Sequence, residues 1–342
     1  MHYADARSPA ELRGRTILQI VPELDAGGAE RTAVDIAAGL VQAGVRALVA
    51  TEGGRLVAEL QAKGGSWIPF PAKTKNPFSI LSNARRLKRI IREEGVDLVH
   101  ARSRAPAWSA YLATGALGVP FVTTYHGSYQ GRSKVKILYN SVMARGDAVI
   151  ANSHYTARLI AEKHPFARDR IAIIHRGTDL KLYSPGQVDH SRIERLRSAW
   201  GVAPHQRIIL CAARLTPWKG QKVLIEAARL LREAGENDLA IVLAGDEQGR
   251  SGYVRELDAM AETLGVKDMV FRVGHCTDMP AAFMSAAVLA VPSTEPEAFG
   301  RTATEAQAMG TPVVVTDLGA VPETVLAPPD VPATARTGWR IK

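Results

Sequence analysis

The chain has 342 residues, 46% hydrophobic and 23% charged, a balance that suits two globular domains and excludes a disordered or fibrous chain. No stretch approaches the roughly 18 uncharged apolar residues that cross a membrane, and the polar residues 1–15 lack the apolar run of a signal peptide, so neither is expected. The formal charge is +9, and residues 71–136 carry twelve basic against three acidic residues, an excess equal to that of the whole chain.

Residues 16–21 read as a short strand, followed by the glycine turn Asp25-Ala-Gly27-Gly28. Residues 29–43 then carry Ala33, Ile36, Ala37, Leu40 and Val41 at helical spacing and stop at Gly44. Residues 45–50 form the next strand. Residues 80–92 form a helix with Leu81, Ala84, Leu87 and Ile91 on one face and Arg85, Lys88, Arg89 and Arg92 on the other. Strand-like runs recur at 97–100, 120–125, 148–151 and 171–175, and alternation of this kind implies a parallel sheet covered on both faces. Tyr183-Ser-Pro-Gly186 interrupts the pattern and places a linker there, dividing a domain of residues 1–185 from one of 186–342. In the second half, strands at 207–212, 239–244, 269–273, 287–291 and 312–316 alternate with helices at 220–234, 253–264, 279–286 and 300–309. Ligands of open α/β sheets bind at the carboxyl ends of the strands, so the gap between two facing sheets is the expected site.

The basic excess points to a polyanionic surface or acceptor: an anionic leaflet, a phosphorylated glycolipid or nucleic acid. A solvated helix face is the alternative. No RNP, KH or helix-turn-helix pattern is present, so nucleic acid is not expected. Cys211 and Cys276 stand in no metal-ligand spacing, so reduced thiols, no structural zinc and a cytoplasmic location are expected.

Glu297-Ala-Phe-Gly300-Arg-Thr-Ala-Thr-Glu305 sets two glutamates, with seven residues between them, around a helix start. The free N–H groups of Gly300, Arg301 and Thr302 would make an anion site. A carboxylate beside a bound diphosphate would be repelled by it. Each glutamate is better suited to accept hydrogen bonds from neutral hydroxyls, one sugar ring on each side. The competing reading pairs Glu305 with Arg301 one turn away and leaves Glu297 solvated. Arg214-Leu-Thr-Pro-Trp-Lys219-Gly220 joins a strand end to a helix start, where a guanidinium and an ammonium can neutralise two phosphates. Two surface cations flanking a turn would look the same. Asp25-Ala-Gly27-Gly28-Ala29-Glu30 is a glycine-rich turn but not GxGxxG, so no nicotinamide site is inferred. His126, before Gly127 at a strand end, is a candidate site residue or a structural histidine.

Together these blocks resemble the retaining family 4 glycosyltransferases of the GT-B fold, from about Thr16 to the last residue. The specific matches are the Glu297–Glu305 block with its Ala-Met-Gly310-Thr-Pro tail, and Ala213 to Gly220. Gly27-Gly28-Ala-Glu30, Asp97-Leu-Val-His100, Ala151-Asn-Ser153, Gly245-Asp246 and the run from Asp317 to Glu323 also fit, while Arg176 stands where the family often has asparagine.

The resemblance implies an α/β fold of two Rossmann-like domains facing across a cleft, acceptor domain first and nucleotide-sugar domain second. Arg214 and Lys219 would hold the donor diphosphate with the N–H groups of Gly300, Arg301 and Thr302. Glu297 would bind hydroxyls of the transferred sugar, with His126 nearby, and Glu305 the ribose. Val273 and His275 would lie by the base. Gly28 and Gly245 belong to the donor-site loops.

Transfer would retain anomeric configuration without a metal or cofactor, the donor phosphate taking the acceptor proton. The implied donor is a UDP- or GDP-sugar and the acceptor a glycolipid or polysaccharide of lipopolysaccharide or surface-glycan type. The implied location is the cytoplasmic face of the inner membrane, with Arg85, Lys88, Arg89 and Arg92 toward acceptor or lipid. The family usually continues with a further C-terminal helix, so a truncated second domain is expected. The alternatives are a GT-B nucleotide-sugar epimerase and a non-catalytic remnant that binds a sugar nucleotide.

Overall fold

The computed structural model describes residues 9–25, 27–127 and 133–342; residues 1–8, Ala26 and Arg132 of the basic stretch lie outside the described residues. The chain forms two compact units, Met1–His175 and Arg176–Lys342.

The strands of the first unit are β1 (Thr16–Ile20), β2 (Arg46–Thr51), β3 (Ser66–Pro69), β4 (Leu98–Ala101), β5 (Phe121–Tyr125), β6 (Ala148–Ala151) and β7 (Ile171–Ile173). They form one parallel sheet in the order β3-β2-β1-β4-β5-β6-β7. Its helices are α1 (Gly28–Gln42), α2 (Val57–Ala62), α3 (Pro77–Glu93), α4 (Arg104–Gly115), α5 (Lys134–Ser141) and α6 (His154–Lys163). Alternate residues of β2 show how both faces are covered. Leu48 and Ala50 pack with Leu87 of α3 and Ala110 of α4, while Ala47 and Val49 pack with Val34 of α1 and Leu60 of α2. Helix α3 starts where its sequence says it should: Asn76 Oδ1 accepts from the N–H of Phe78 at 2.9 Å, and Pro77 takes the first position, which needs no donor.

The second unit contains β8 (Arg207–Ala212), β9 (Leu239–Ala244), β10 (Val270–Gly274), β11 (Ala286–Val291), β12 (Val313–Thr316) and β13 (Trp339–Ile341), with α7 (His190–Ala199), α8 (Gln221–Glu233), α9 (Ser251–Thr263), α10 (Met279–Ser285), α11 (Arg301–Ala308) and α12 (Val321–Thr324). The strands again pair in parallel, in the order β10-β9-β8-β11-β12-β13. All six residues of β9 are buried: Ala240, Val242 and Ala244 enter one core, Leu239, Ile241 and Leu243 the other. The sequence reading puts the linker near 183–186, yet the chain joins the second unit from Arg176 on. Tyr183 is buried with its ring 6.1 Å from Phe283, and the Thr178 hydroxyl donates to that of Thr304 at 3.2 Å.

In the first unit, Asp97 accepts from the Thr16 N–H at 2.7 Å and from Arg15 at 2.9 Å, contacts that lower its pKa and tie β4 to β1. His100 lies buried with Nε2 2.7 Å from Thr124 Oγ1. Burial, then the charge of Arg102, holds its pKa well below the ordinary value, and burial lowers that of His164. A histidine neutral in the fold but protonated once unfolded makes the unfolded chain the stronger proton binder below about pH 6.5. Stability should therefore be complete above that pH and fall below it. Melting curves of the wild type and His100→Gln between about pH 7.5 and about pH 5 check this. The variant should lose visibly less on acidification.

Candidate functional site

In the second sheet the chain order runs outward from β8 in one direction and from β11 in the other. The loops after these two neighbouring strands therefore open a crevice at the topological switch point, where α/β proteins bind ligands. Arg214 to Gly220 occupies the loop after β8, and the segment from Pro292 to Gly300 the loop after β11. The sheet thus brings together the two motifs singled out in the sequence.

The first loop is built by backbone contacts. The N–H groups of Ala213 and Leu215 continue the pairing with the next strand's chain, bonding the carbonyls of Ala244 and Asp246 at 3.0 Å each. Gly245 supports this approach, since a Cβ there would lie 1.9 Å from the Ala213 carbonyl oxygen. One turn of 3-10 helix, Pro217–Lys219, leads into Gly220, which has φ +74° and precedes α8. A Cβ on Gly220 would come within 1.8 Å of the Pro292 carbonyl oxygen, so the two loops touch through a residue without a side chain.

Across that contact Lys219 Nζ donates to Glu297 Oε1, and Ser293 Oγ donates to the same oxygen at 2.7 Å. The ammonium also lies 4.2 Å from the centre of the Trp218 ring, a cation–π contact. Glu297 is 8% exposed, so it is not the solvated carboxylate of the competing sequence reading. Its main chain bridges to Gly319, and its carbonyl accepts from the Ala320 N–H at 2.8 Å. Lys219 and Ser293 both address Oε1, which leaves Oε2 able to accept from a hydroxyl, and Lys219 keeps donors beyond the one it gives Glu297. Arg214 is exposed, and among the described residues its guanidinium forms no hydrogen bond or ion pair. The crevice therefore holds one cation locked to a carboxylate and one presented outward.

Helix α11 begins at Arg301 with Gly300 at φ +86° as its cap, so no side chain blocks its first N–H groups. Arg301 Nε donates to Glu305 Oε1 at 2.6 Å, the pair anticipated one turn apart, and Glu305 is buried. Val273 lies near the end of β10, the outer strand of this half-sheet, and His275 follows it, with Nδ1 3.6 Å from Asp246. In the first unit, Gly28 opens α1, where Glu30 Oε2 accepts from the N–H groups of Asp25 and Gly27 at 2.9 Å each. His126 follows β5, the second strand from that sheet's own switch point between β1 and β4. Cys211, on β8, is a buried free thiol whose pKa burial pushes up to about 12, and burial likewise raises that of Cys276 to about 11.

Residues 26–182 match the family profile described as Glycosyltransferase Family 4, and residues 192–327 match that of Glycosyl transferases group 1. A solved glycosyltransferase from Rickettsia africae is 34% identical, with a TM-score of 0.82 over 96% of this chain and 84% of that one. The chain belongs to the family 4 glycosyltransferases of the GT-B fold. Another solved structure, Anabaena HepE in complex with UDP-glucose, is 26% identical with a TM-score of 0.81, covering 96% of this chain and 85% of that one. Among curated proteins, a D-inositol 3-phosphate glycosyltransferase of Salinispora arenicola is 32% identical over 65% of this chain and 54% of its own length. The chain thus spans about half the length of the curated relatives it matches.

Within this family member, the motif residues were legible but several supports were not. Ser293 stands four residues before Glu297 with nothing in the sequence to mark it as that residue's donor. Gln221 and Tyr253, which form a buried pair behind the Arg214 loop at 3.1 Å, were also missed, because 32 residues separate them.

Proposed function

We propose that the chain is a retaining, metal-independent transferase. It moves a hexose from a UDP- or GDP-sugar to a glycolipid or polysaccharide acceptor in surface-glycan synthesis. The observation that carries this is the crevice between β8 and β11, with Arg214 presented outward and Lys219 held beside Glu297. Cations fixed there stabilise the charge that grows on a departing diphosphate. The exposed start of α11 adds N–H groups for the same anion. Glu297 Oε2 accepts from a hydroxyl of the transferred sugar, and Glu305 serves the ribose. Val273 and His275 lie toward the base. The donor phosphate receives the acceptor proton. The solved relative that carries UDP-glucose supports a uridine donor.

Thermal shift against UDP, GDP and ADP, each with and without an attached hexose, tests the reading. A ligand at 100 times its dissociation constant stabilises by about 2.7 kcal/mol, and one base should stand out. No shift with any of them would overturn the donor site. The relatives named for D-inositol 3-phosphate support a second acceptor reading, a phosphorylated polyol. Transfer assays with that compound and with a phosphorylated glycolipid separate the two.

The acceptor side includes an anionic membrane surface on the cytoplasmic leaflet. Arg85, Arg89 and Arg92 of α3 are exposed and Lys88 is half-buried. Among the described residues none of the four side chains forms a hydrogen bond or ion pair, whereas Arg86 is tied to the Pro69 carbonyl at 3.0 Å. Phe78 and Leu81, on the first turns of the same helix, are 83% and 49% exposed. Each basic residue near an anionic surface contributes about 1 kcal/mol, so reversing all four should weaken binding to phosphatidylglycerol vesicles by at least about 10³-fold. Nucleotide binding should be unchanged. Undiminished vesicle binding would remove the membrane from the proposal.

A further inference from the structure

We propose that Gln221 is a positioning residue for the diphosphate-binding arginine: its buried side-chain amide holds the main-chain carbonyl of Arg214 and so fixes where that guanidinium points. The inference rests on the reading of Arg214 as a donor-diphosphate ligand.

Gln221 is the first residue of α8 and is wholly buried. Its Nε2 donates to the Arg214 carbonyl at 2.9 Å, and its Oε1 accepts from the Tyr253 hydroxyl of α9 at 3.1 Å. The direction of this relay is set by chemistry. A carbonyl cannot donate, so the amide must turn its nitrogen to Arg214, which leaves its oxygen for the phenol. Burial pushes the Tyr253 phenol up to about 12, so it remains a donor at any working pH. The main-chain N–H groups on either side, at Ala213 and Leu215, are already bound to the carbonyls of Ala244 at the end of β9 and Asp246 just beyond it. The Arg214 carbonyl takes its hydrogen bond from Gln221, at the residue whose side chain faces outward.

A hydrophobic residue of similar length would leave both the carbonyl and the phenol buried without this partner. A glutamate would keep the shape. Once ionised, it would set a negative oxygen against the carbonyl. Misplacement of a binding group by about 1 Å costs as much as 10²-fold, so a loosened loop should cost the diphosphate contact about tenfold.

The test measures dissociation constants for UDP, GDP and ADP by titration of the full chain, taking whichever binds. Gln221→Met should weaken binding about tenfold in the wild-type background and less than about twofold when Arg214 is already alanine. In Gln221→Glu, affinity should stay near the wild-type value at low pH, where the carboxyl is protonated and can donate. It should fall as pH rises, while the wild type stays level over the same range. A purely structural role would show neither the coupling nor the pH signature. A full tenfold loss from Gln221→Met on top of Arg214→Ala overturns the positioning role alone, as does pH-independent binding by Gln221→Glu. Wild-type binding to none of the nucleotides, or Arg214→Ala binding as well as wild type, overturns the reading of the site and this inference with it.

Discussion

Lys219→Met is expected to lower kcat/KM for the sugar nucleotide by about 10³-fold, the scale seen when one preorganised electrostatic donor is removed. The same change should destabilise the second unit. Lys219 and Glu297 have side chains 17% and 10% exposed, so removing the ammonium strands a buried carboxylate. Breaking one partner of such a pair costs about 3–5 kcal/mol, although replacing both is often neutral. The double variant Lys219→Met/Glu297→Gln should therefore recover most of the unfolding free energy and none of the turnover. Urea unfolding and initial rates on the same preparations read the two effects separately. A double variant that regains activity would show that the pair serves the fold rather than the donor.

Gly220→Ala should destabilise by about 2–4 kcal/mol, near the upper end for a single methyl group. Two effects combine. The residue has φ +74°, a conformation that costs an L side chain about 1 kcal/mol or more. The added Cβ would also stand 1.8 Å from the Pro292 carbonyl oxygen, so the loops after β8 and β11 must part. Gly310→Ala is the control: φ is +72°, but nothing lies within 4 Å of the new carbon, so only the backbone strain remains. Equal losses for the two variants in urea unfolding would mean that the loop contact at Pro292 is soft. Because the parted loops carry Lys219 and Glu297, Gly220→Ala should also lose donor binding, whereas Gly310→Ala should keep it.

Much of the fold was legible because buried parallel strands write themselves as short apolar runs. Strands β6, β8 and β9 have the bounds read from the sequence. The 104–115 segment was not assigned, since α4 buries Ala105, Ala107, Ser109, Ala110, Ala113 and Thr114 around most of its circumference and shows little amphipathic period. Strand β3 was missed too: its residues are all half-buried or exposed, so Ser66 to Pro69 carry no core signature. At the site, Arg214, Lys219, Glu297 and the α11 start could be read because each belongs to a compact linear motif. That Lys219 bonds Glu297 could not, because the pair spans 78 positions and exists only through the pairing of β8 with β11. Gly245 was read as a donor-loop residue, and the structure adds a packing reason for it, the close approach to Ala213.

The two thiols bear on how the protein can be handled. With pKa values pushed up to about 12 and about 11, Cys211 and Cys276 are almost entirely protonated near neutral pH. Maleimides and haloacetamides react with thiolates, so both native cysteines should remain largely unlabelled. A cysteine introduced at an exposed position such as Ser82 on α3 would then take a dye selectively. A dye there, on an otherwise unaltered chain, should report donor and acceptor binding free of signal from the native thiols.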